Sequence, residues 1–485
     1  MINIFDKKYR FLLIVSLLFL LLRLPSLFEP YWYGDEGIYL VLGQALRKGL
    51  VLYRQIHDNK PPSLYYLAAL AQTVFGFRLL LAISMGFSAL FFHKLSVKLF
   101  SVKFAKISTI IFVILTSIPL IEGNIANAEI FMVLPTLAGI YYFFYSKSPL
   151  RFLVAGLLLG LAFTFKVPVA VEFALLCAWV LAFNFDRSKI KFIVLSWVAL
   201  VVGFALPIIL FFALSIYQHA GNEFLFSALL QNFGYLSSWS TGSHSGSATS
   251  GGLVNRAVIM AISWLVFYFL YLKKHLSKDT LFVFAWFSAT VFGALLSTRP
   301  YPHYLIQLAP PLVLIVTLLF SSIATTKQRL ISLILLAGLG FYLVKYKFYY
   351  YPVVSYYKNF YTHIFSLNSA EYRNYFGARV DDTYKIAQFL KNTTNPKDDI
   401  FIWGDEPYIY ALADRLPVGK YTVAYHVADF NQYENTYNQL IVQFPKTVIY
   451  YPQPGRPFPD LDRFIKLYYS PVTAFGDATI YTRND

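Results

Sequence analysis

Long apolar segments recur along most of this chain, and they restrict its fold more than any motif does. About 20 apolar residues are needed to cross the hydrocarbon of a bilayer as a helix, and in lipid only helices and closed barrels satisfy their own backbone groups. Segments of this kind lie at 11–29, 78–95, 106–121, 129–146, 150–166, 168–185, 192–216, 254–272, 280–297, 304–323 and 329–346. They predict a polytopic α-helical membrane protein with about eleven spans. The composition agrees, because 57% hydrophobic and 14% charged residues with a mean hydropathy of +0.54 lie outside the range of soluble domains. Residues 1–29 begin with basic residues, but their apolar core is long and no small-residue cleavage site precedes Glu29 and Pro30, so they read as a retained first helix.

The net charge of +16 does not point to nucleic acid, because no nucleic-acid motif accompanies it. The basic residues instead cluster in short loops, as cytoplasmic loops beside anionic lipid do. With Lys7, Lys8 and Arg10 inside, alternate loops put Lys94, Lys98, Lys103 and Lys106, then Lys147 and Arg151, then Arg187, Lys189 and Lys191, then Lys273, Lys274 and Lys278, then Lys327 and Arg329 on the same side. The expected localisation is therefore an integral membrane protein with a cytoplasmic amino terminus and everything after the last span outside. The single cysteine, Cys177, lies within an apolar run and excludes an internal disulfide.

The opposite face collects polar residues. After the first span, YWYGDEGIYLVLGQALRKGLVLYRQIHDNKPP at 31–62 carries Asp35 and Glu36, then Asp58, Asn59 and Lys60 before two prolines. Carboxylates at a bilayer surface can take a proton or hold a metal, and a lysine can hold a phosphate. Lys60 beside a helix start at Pro61 or Pro62 would favour an anion twice over. An acidic pair alone reads better as helix-capping residues on a solvated loop. Residues 37–46 and 63–75 are too short to cross and are expected as interfacial helices of this first outer loop.

Further candidates follow. Glu129 opens the fourth span, where an acid is stabilised in any case. Lys166 closes the fifth, and Arg299, His303 and Tyr304 precede the tenth. Lys166 has the plain alternative of a snorkelling side chain, and an isolated His that of a structural residue. The Ser- and Gly-rich run STGSHSGSATSGG within 218–252 reads as a flexible linker, with a mobile cover over the site as the lesser alternative, and His244 as solvated.

After about residue 348 the pattern changes from apolar runs to alternating elements: helices near 383–391, 407–413 and 461–467, and strands at 400–403, 447–451 and 478–482. These predict a soluble α/β domain over 349–485 that follows a transmembrane domain over 1–348. WGDEP at 403–407 is ordinary strand-end and cap chemistry.

The order GDEGIY at 34–39, DNKPP at 58–62, Asn127-Ala128-Glu129, Lys166 and RPYPHY at 299–304 resembles the membrane glycosyltransferases of the GT-C fold, closest to the bacterial protein-mannosyltransferase-like group that includes the aminoarabinose transferases. The resemblance covers roughly residues 1–350. It implies a sugar donor carried on a polyprenyl phosphate and an acceptor that is a lipid, a glycan or a protein. It also implies Asp35 as catalytic base, Glu36 as its partner, Glu129 as a second acid, and Lys60, Lys166 and Arg299 as ligands of the donor phosphate. Tyr39, Asp58, His303 and Tyr304 would line the substrate pocket. Some relatives bind a divalent metal ion, and Glu129 without a His-rich ligand set leaves its use open here. A single displacement with one base implies inversion at the anomeric carbon. Two readings compete: a transporter or flippase for polyprenyl-linked sugars, and a receptor with a sugar-binding outer domain. The sequence shows no internal repeat, and its charges gather at one face instead of the midplane that transporters use.

Overall fold

A computed structural model describes residues 7–184, 190–231, 250–297 and 299–484. The fold is mostly helical with one small sheet, and each of the eleven apolar segments carries a helix. These are Lys7–Leu27, Val74–Leu99, Val102–Leu115, Val133–Tyr145 with Ala128–Phe131 before it, Arg151–Phe163, Ala170–Asn184, Ile190–Tyr217, Ser250–Leu272, Lys278–Ala294, Ala309–Phe320 and Thr326–Lys345. Among the described residues six helices are long and apolar enough to cross a membrane, and Arg151–Phe163, Val167–Phe183 and Ala309–Phe320 are shorter apolar helices.

The tenth segment starts later than its hydropathy suggests. Residues Pro302–Ile306 form a 3-10 turn, and the helix opens only at Ala309, where Pro310 and Pro311 occupy positions whose N–H groups a helix does not use. Ahead of the Ser- and Gly-rich run, Gly221–Phe224 is helical and Leu225–Leu230 a π-helical turn. His244 lies outside the described residues.

Contacts group the chain into two compact units. One comprises 1–24, 80–213 and 229–353, the other 25–79, 214–228 and 354–485. In the first, the helices differ in what surrounds them. The Ala128–Tyr145 span is 72% buried, whereas Gly252–Leu272 is 6% buried and offers its apolar side chains outward, as a lipid-facing helix must. Helices Arg151–Phe163 and Ile190–Tyr217 meet backbone to backbone, since a Cβ on Gly156 would stand 2.1 Å from the Leu200 carbonyl oxygen. Small residues at such crossings are how membrane helices gain packing without a hydrophobic driving force. Arg23, buried near the end of its helix, donates from Nη2 to the carbonyls of Thr116 at 2.6 Å and Gly123 at 2.9 Å, and so ties down the loop that carries Glu122.

The second unit is built on a mixed sheet of order β1-β2-β4-β3, with β1 Ile400–Trp403, β2 Thr447–Tyr450, β3 Tyr469–Phe475 and β4 Ala478–Arg483. β1 and β2 run parallel, and β4 pairs antiparallel with both β2 and β3. Both faces of β1 are buried, as its unbroken apolar run IFIW requires. Ile400, Ile402, Ile449 and Ile480 pack on Ile386 and Leu390 of helix Val380–Thr393. Phe401, Trp403 and Val448 pack on Leu440 and on Leu461 and Phe464 of helix Pro459–Tyr468. The three strands and three helices expected here are present. β3 and the helices Val353–Thr362, Ala370–Asn374, Ala424–Asp429 and Tyr433–Gln443 are additional.

The stretch after the first span belongs to this second unit. Its first helix, Gly34–Arg47, is buried from Glu36 through Ala45, and Val41 enters the same core as Ile400 and Ile449. It lies against helix Ser63–Ala71 so closely that a Cβ on Gly43 would stand 2.5 Å from the Ala69 nitrogen. Backbone cannot yield as a side chain can. Gly43→Val is therefore expected to destabilise the protein by about 1–3 kcal/mol, the usual cost of overpacking, measured as a lowered midpoint of thermal unfolding in detergent.

Candidate functional site

Each unit assembles a polar cluster of its own from the residues singled out in the sequence. In the second unit the cluster centres on Lys60. Its ammonium lies 3.5 Å from Asp35 Oδ2 and 3.8 Å from Asp58 Oδ2, and 4.9 Å from the centroid of the Tyr39 ring. Asp35 and Tyr39 stand one turn apart on helix Gly34–Arg47, so both face the same way, and the Tyr39 hydroxyl donates to Asp35 Oδ2 at 3.1 Å. The Asp35 side chain keeps 28% of its surface exposed and Lys60 13%, whereas Asp58 is fully buried. A partly exposed acid and a mostly covered ammonium thus sit on a buried support.

That support is a chain of hydrogen bonds. The Lys60 backbone N–H donates to the Tyr65 hydroxyl at 3.0 Å, and that hydroxyl donates to Asp58 Oδ2 at 2.9 Å. Asp58 Oδ1 accepts from the Asn59 N–H at 2.8 Å, and the Tyr53 hydroxyl donates to the Lys60 carbonyl at 2.7 Å. Burial works to raise the Asp58 carboxyl, but the Lys60 charge, His426, the Asn59 N–H and the Tyr65 hydroxyl outweigh it and bring it down to about 2. The stability this carboxylate contributes is present above the ordinary carboxylate range and is lost as pH falls toward about 2. Helix Ser63–Ala71 begins after Pro62, which places Lys60 just ahead of a helix start as the two prolines suggested.

Glu36 stands apart from this cluster. It is fully buried, and both its oxygens lie on Arg78, with Nε at 2.9 Å and Nη2 at 2.6 Å. Arg78 also reaches Glu29 through Nη1 at 2.6 Å and the Ser26 carbonyl at 3.1 Å. Glu29 in turn accepts from the Trp32 indole at 2.6 Å and from the Tyr356 hydroxyl at 2.5 Å. The Tyr408 hydroxyl donates to the Tyr33 carbonyl and lies 3.4 Å from Glu36 Oε2. The neighbouring carboxylates Asp35 and Glu36 thus part company: one faces Lys60 and solvent, the other is enclosed by an arginine. An enclosed pair of this kind fixes where Asp35 stands, because its helix cannot rotate without exposing Glu36 unpaired.

The first unit carries the second cluster. Glu129 and Glu122 are buried, at 2% and 1% exposure. Lys166 Nζ lies 2.7 Å from Glu129 Oε1 and 5.5 Å from the centroid of the Tyr304 ring. His303 Nδ1 pairs with Glu122 Oε2 at 2.6 Å, while its Nε2 lies 3.9 Å from Glu129 Oε1. Tyr301 stacks on the His303 ring, and Tyr304 meets it edge-on. Glu122 holds its position with φ of +61°, a left-handed conformation uncommon outside glycine and frequent at functional sites. Asn127 caps the helix start before Glu129 by accepting from the Ala128 N–H. Of the predicted residues Arg299 falls in this unit too, and its backbone N–H donates to the Ser297 hydroxyl at 3.4 Å.

Among the described residues no three His, Cys, Asp or Glu side chains are placed to ligate one metal. At Glu129 and at Asp35 the position a cation would take is held by a lysine ammonium. The sequence did not point to Arg78, Glu29, Glu122's pairing with His303, or His426. Arg78 carried a signal, since a charged residue at the head of an apolar span is expensive unless it is paired.

No family model matches this chain, and no curated protein matches it. Solved structures do. ArnT from Cupriavidus metallidurans bound to undecaprenyl phosphate superposes with a TM-score of 0.59 at 13% identity, covering 97% of each chain. The apo state of the same protein gives 0.60 at 11% identity over 98% of each. The oligosaccharyltransferase of Archaeoglobus fulgidus aligns with a TM-score of 0.43 at 13% identity, over 100% of this chain and 75% of that one. From end to end, then, the chain has the fold of ArnT, a GT-C membrane glycosyltransferase fold.

Proposed function

We propose that this protein is a glycosyltransferase that moves a sugar from a polyprenyl-phosphate donor to an acceptor at the outer face of a membrane, with inversion at the anomeric carbon. The observation that carries the reading is the partly exposed Asp35 carboxylate 3.5 Å from the Lys60 ammonium, on a buried support. Acceptor activation needs a base, and departure of a phosphate needs a fixed positive charge. The fold shared with a protein solved on undecaprenyl phosphate supports the choice of donor class.

In the reaction the acceptor oxygen or nitrogen attacks the anomeric carbon, and its proton passes to Asp35. The bond from that carbon to the phosphate oxygen breaks, and the polyprenyl phosphate leaves with its charge held by Lys60. Before the donor arrives Lys60 is occupied by Asp35 and Asp58, so the incoming phosphate replaces one carboxylate partner with another anion. Lys166 and Arg299 are proposed as further phosphate ligands and Glu129 as the second acid. Tyr39, His303 and Tyr304 are proposed to line the pocket, with Glu36 and Asp58 supporting it from within.

The same reading assigns about eleven crossings, a cytoplasmic amino terminus, a membrane domain over 1–348 and an outer α/β domain over 349–485. The acceptor is proposed to be a lipid, a glycan or a protein.

The experiment is to supply radiolabelled polyprenyl-phosphate sugars to the purified protein with membrane extract and follow which label moves. Lys60→Ala is expected to weaken undecaprenyl phosphate binding by about 1.5–3 kcal/mol, the range for a hydrogen bond to a charged group, or roughly ten- to a hundredfold in Kd. An unchanged Kd would place the phosphate elsewhere, and retained configuration in the product would rule out the single displacement.

A further inference from the structure

Large apolar side chains stand in the open along one side of helix Val353–Thr362, with which the carboxy-terminal part of the second unit begins. Val354 is 81% exposed, Tyr361 50% and Phe365 100%, and Lys358 between them is exposed as well. Positions 354, 358, 361 and 365 recur at steps of four, three and four, which sets them in one stripe along the helix and the turn that continues it, where the His363 N–H still donates to the Asn359 carbonyl. The other side faces inward: Tyr356 and Phe360 are buried. An apolar and aromatic stripe carrying one lysine, on a helix whose other face is packed, suits a helix lying in a membrane surface.

The buried side fixes the level at which the stripe stands. The Phe360 ring centroid lies 6.2 Å from that of Phe28, and Phe28 lies 6.2 Å from Phe75. Phe28 directly follows helix Lys7–Leu27, and Phe75 lies in the first turn of helix Val74–Leu99; both helices are among the six long and apolar enough to cross a membrane. Phe28 and Phe75 are themselves exposed, as is Leu70 on helix Ser63–Ala71. Exposed apolar surface therefore continues from the ends of two spans to the helix packed on them. The chain also arrives from the membrane: the last span ends at Lys345, and Tyr346, Tyr349, Tyr350 and Tyr351 stand between it and Val353, a residue type that favours the headgroup level.

We propose that the stripe of Val354, Lys358, Tyr361 and Phe365 rests in the headgroup layer of the bilayer and anchors the second unit to the membrane surface. The partner is phospholipid because the patch is continuous with the ends of two spans, which lipid surrounds. Its make-up fits that partner: the apolar side chains fill space between headgroups, while the Lys358 ammonium reaches lipid phosphate on its four-carbon stem. Phe365 would otherwise leave a whole ring in water. The anchor is coupled to the polar cluster on the Gly34–Arg47 helix. On the buried side of the stripe the Tyr356 hydroxyl donates to Glu29, which Arg78 joins to Glu36, next to Asp35. Seating the helix in the headgroups thus also sets the depth of Asp35. The proposal stands apart from the reaction, since it holds whether or not Asp35 acts as a base.

The test attaches a nitroxide to single cysteines of the full-length protein, with Cys177→Ala removing the native thiol, in nanodiscs of phosphatidylcholine and phosphatidylglycerol. Phe365→Cys reports the stripe, and Tyr361→Cys takes its place should that variant not fold. Val442→Cys, 80% exposed on helix Tyr433–Gln443 of the same unit, is the water reference. Leu265→Cys, 69% exposed on the span Ser250–Leu272, is the lipid reference. Power saturation compares access of oxygen, which dissolves in hydrocarbon, with access of a water-soluble nickel chelate. The label at 365 is expected to favour oxygen as the label at 265 does, at a depth of about 5–10 Å into the headgroup and acyl boundary, while the label at 442 favours nickel. A label at 365 that matches the one at 442 overturns the proposal, because equal exposure would then mean equal contact with water. Low access to both reagents at 365 overturns it too, and assigns the stripe to a protein partner or a second copy of the chain.

Discussion

Asp35→Asn is expected to abolish sugar transfer, by about 10²–10⁴-fold as for loss of a general base, while undecaprenyl phosphate still binds. The amide has the shape of the carboxylate and can accept the Tyr39 hydroxyl bond, but it cannot take a proton from the acceptor. Because the Asp35 side chain is 28% exposed, the substitution leaves no buried charge behind, and the fold should survive it. Lys60 loses one of its two carboxylate partners, so donor binding should hold or tighten. Single-turnover transfer of label, read beside a binding isotherm, separates these effects. Turnover at the wild-type rate would take Asp35 out of the chemistry.

The largest expected effect on stability is at Arg78. Arg78→Met leaves Glu29 and Glu36 facing each other in a dry interior, and loss of one partner of a buried ion pair costs about 3–5 kcal/mol. The two carboxylates are fully buried, so solvent cannot relieve them. Arg78→Lys should recover only part, because an ammonium cannot place two parallel bonds on Glu36 and a third on Glu29 as the guanidinium does. Thermal unfolding in detergent and limited proteolysis are the measurements. The contrast with Asp35 is diagnostic: Asp35→Asn should lose activity and keep its melting transition, whereas Arg78→Met should lose both. An Arg78→Met protein that melts normally would show that Glu29 and Glu36 are neutralised in another way.

Asp35 and Glu36 show how far a sequence can be read. As adjacent acids in one motif they look alike, and both suggest catalysis. Only the fold separates them, since Glu36 meets Arg78, 42 residues further on, and Asp35 meets Lys60, 25 residues further on. The C-terminal elements were similarly uneven. Strand Ile400–Trp403 was legible because four consecutive apolar residues fit a strand buried on both faces. β3 was not, because YSPVTAF carries a proline, is mostly exposed, and exists only by pairing with β4.

The sequence by itself determined the apolar helices and the polar stretches between them, because length and hydropathy act on neighbouring residues and need no partner from elsewhere. It also singled out Asp35, Lys60, Glu129 and Lys166 as charges out of place. The tertiary structure alone decided which charge each one faces: Lys60 against Asp35 and Asp58, Lys166 against Glu129, and Glu36 enclosed by Arg78. The physical reason is desolvation. A buried ionic group is tolerated only where a counter-charge or a hydrogen bond meets it, and which residue can meet it depends on how distant segments pack.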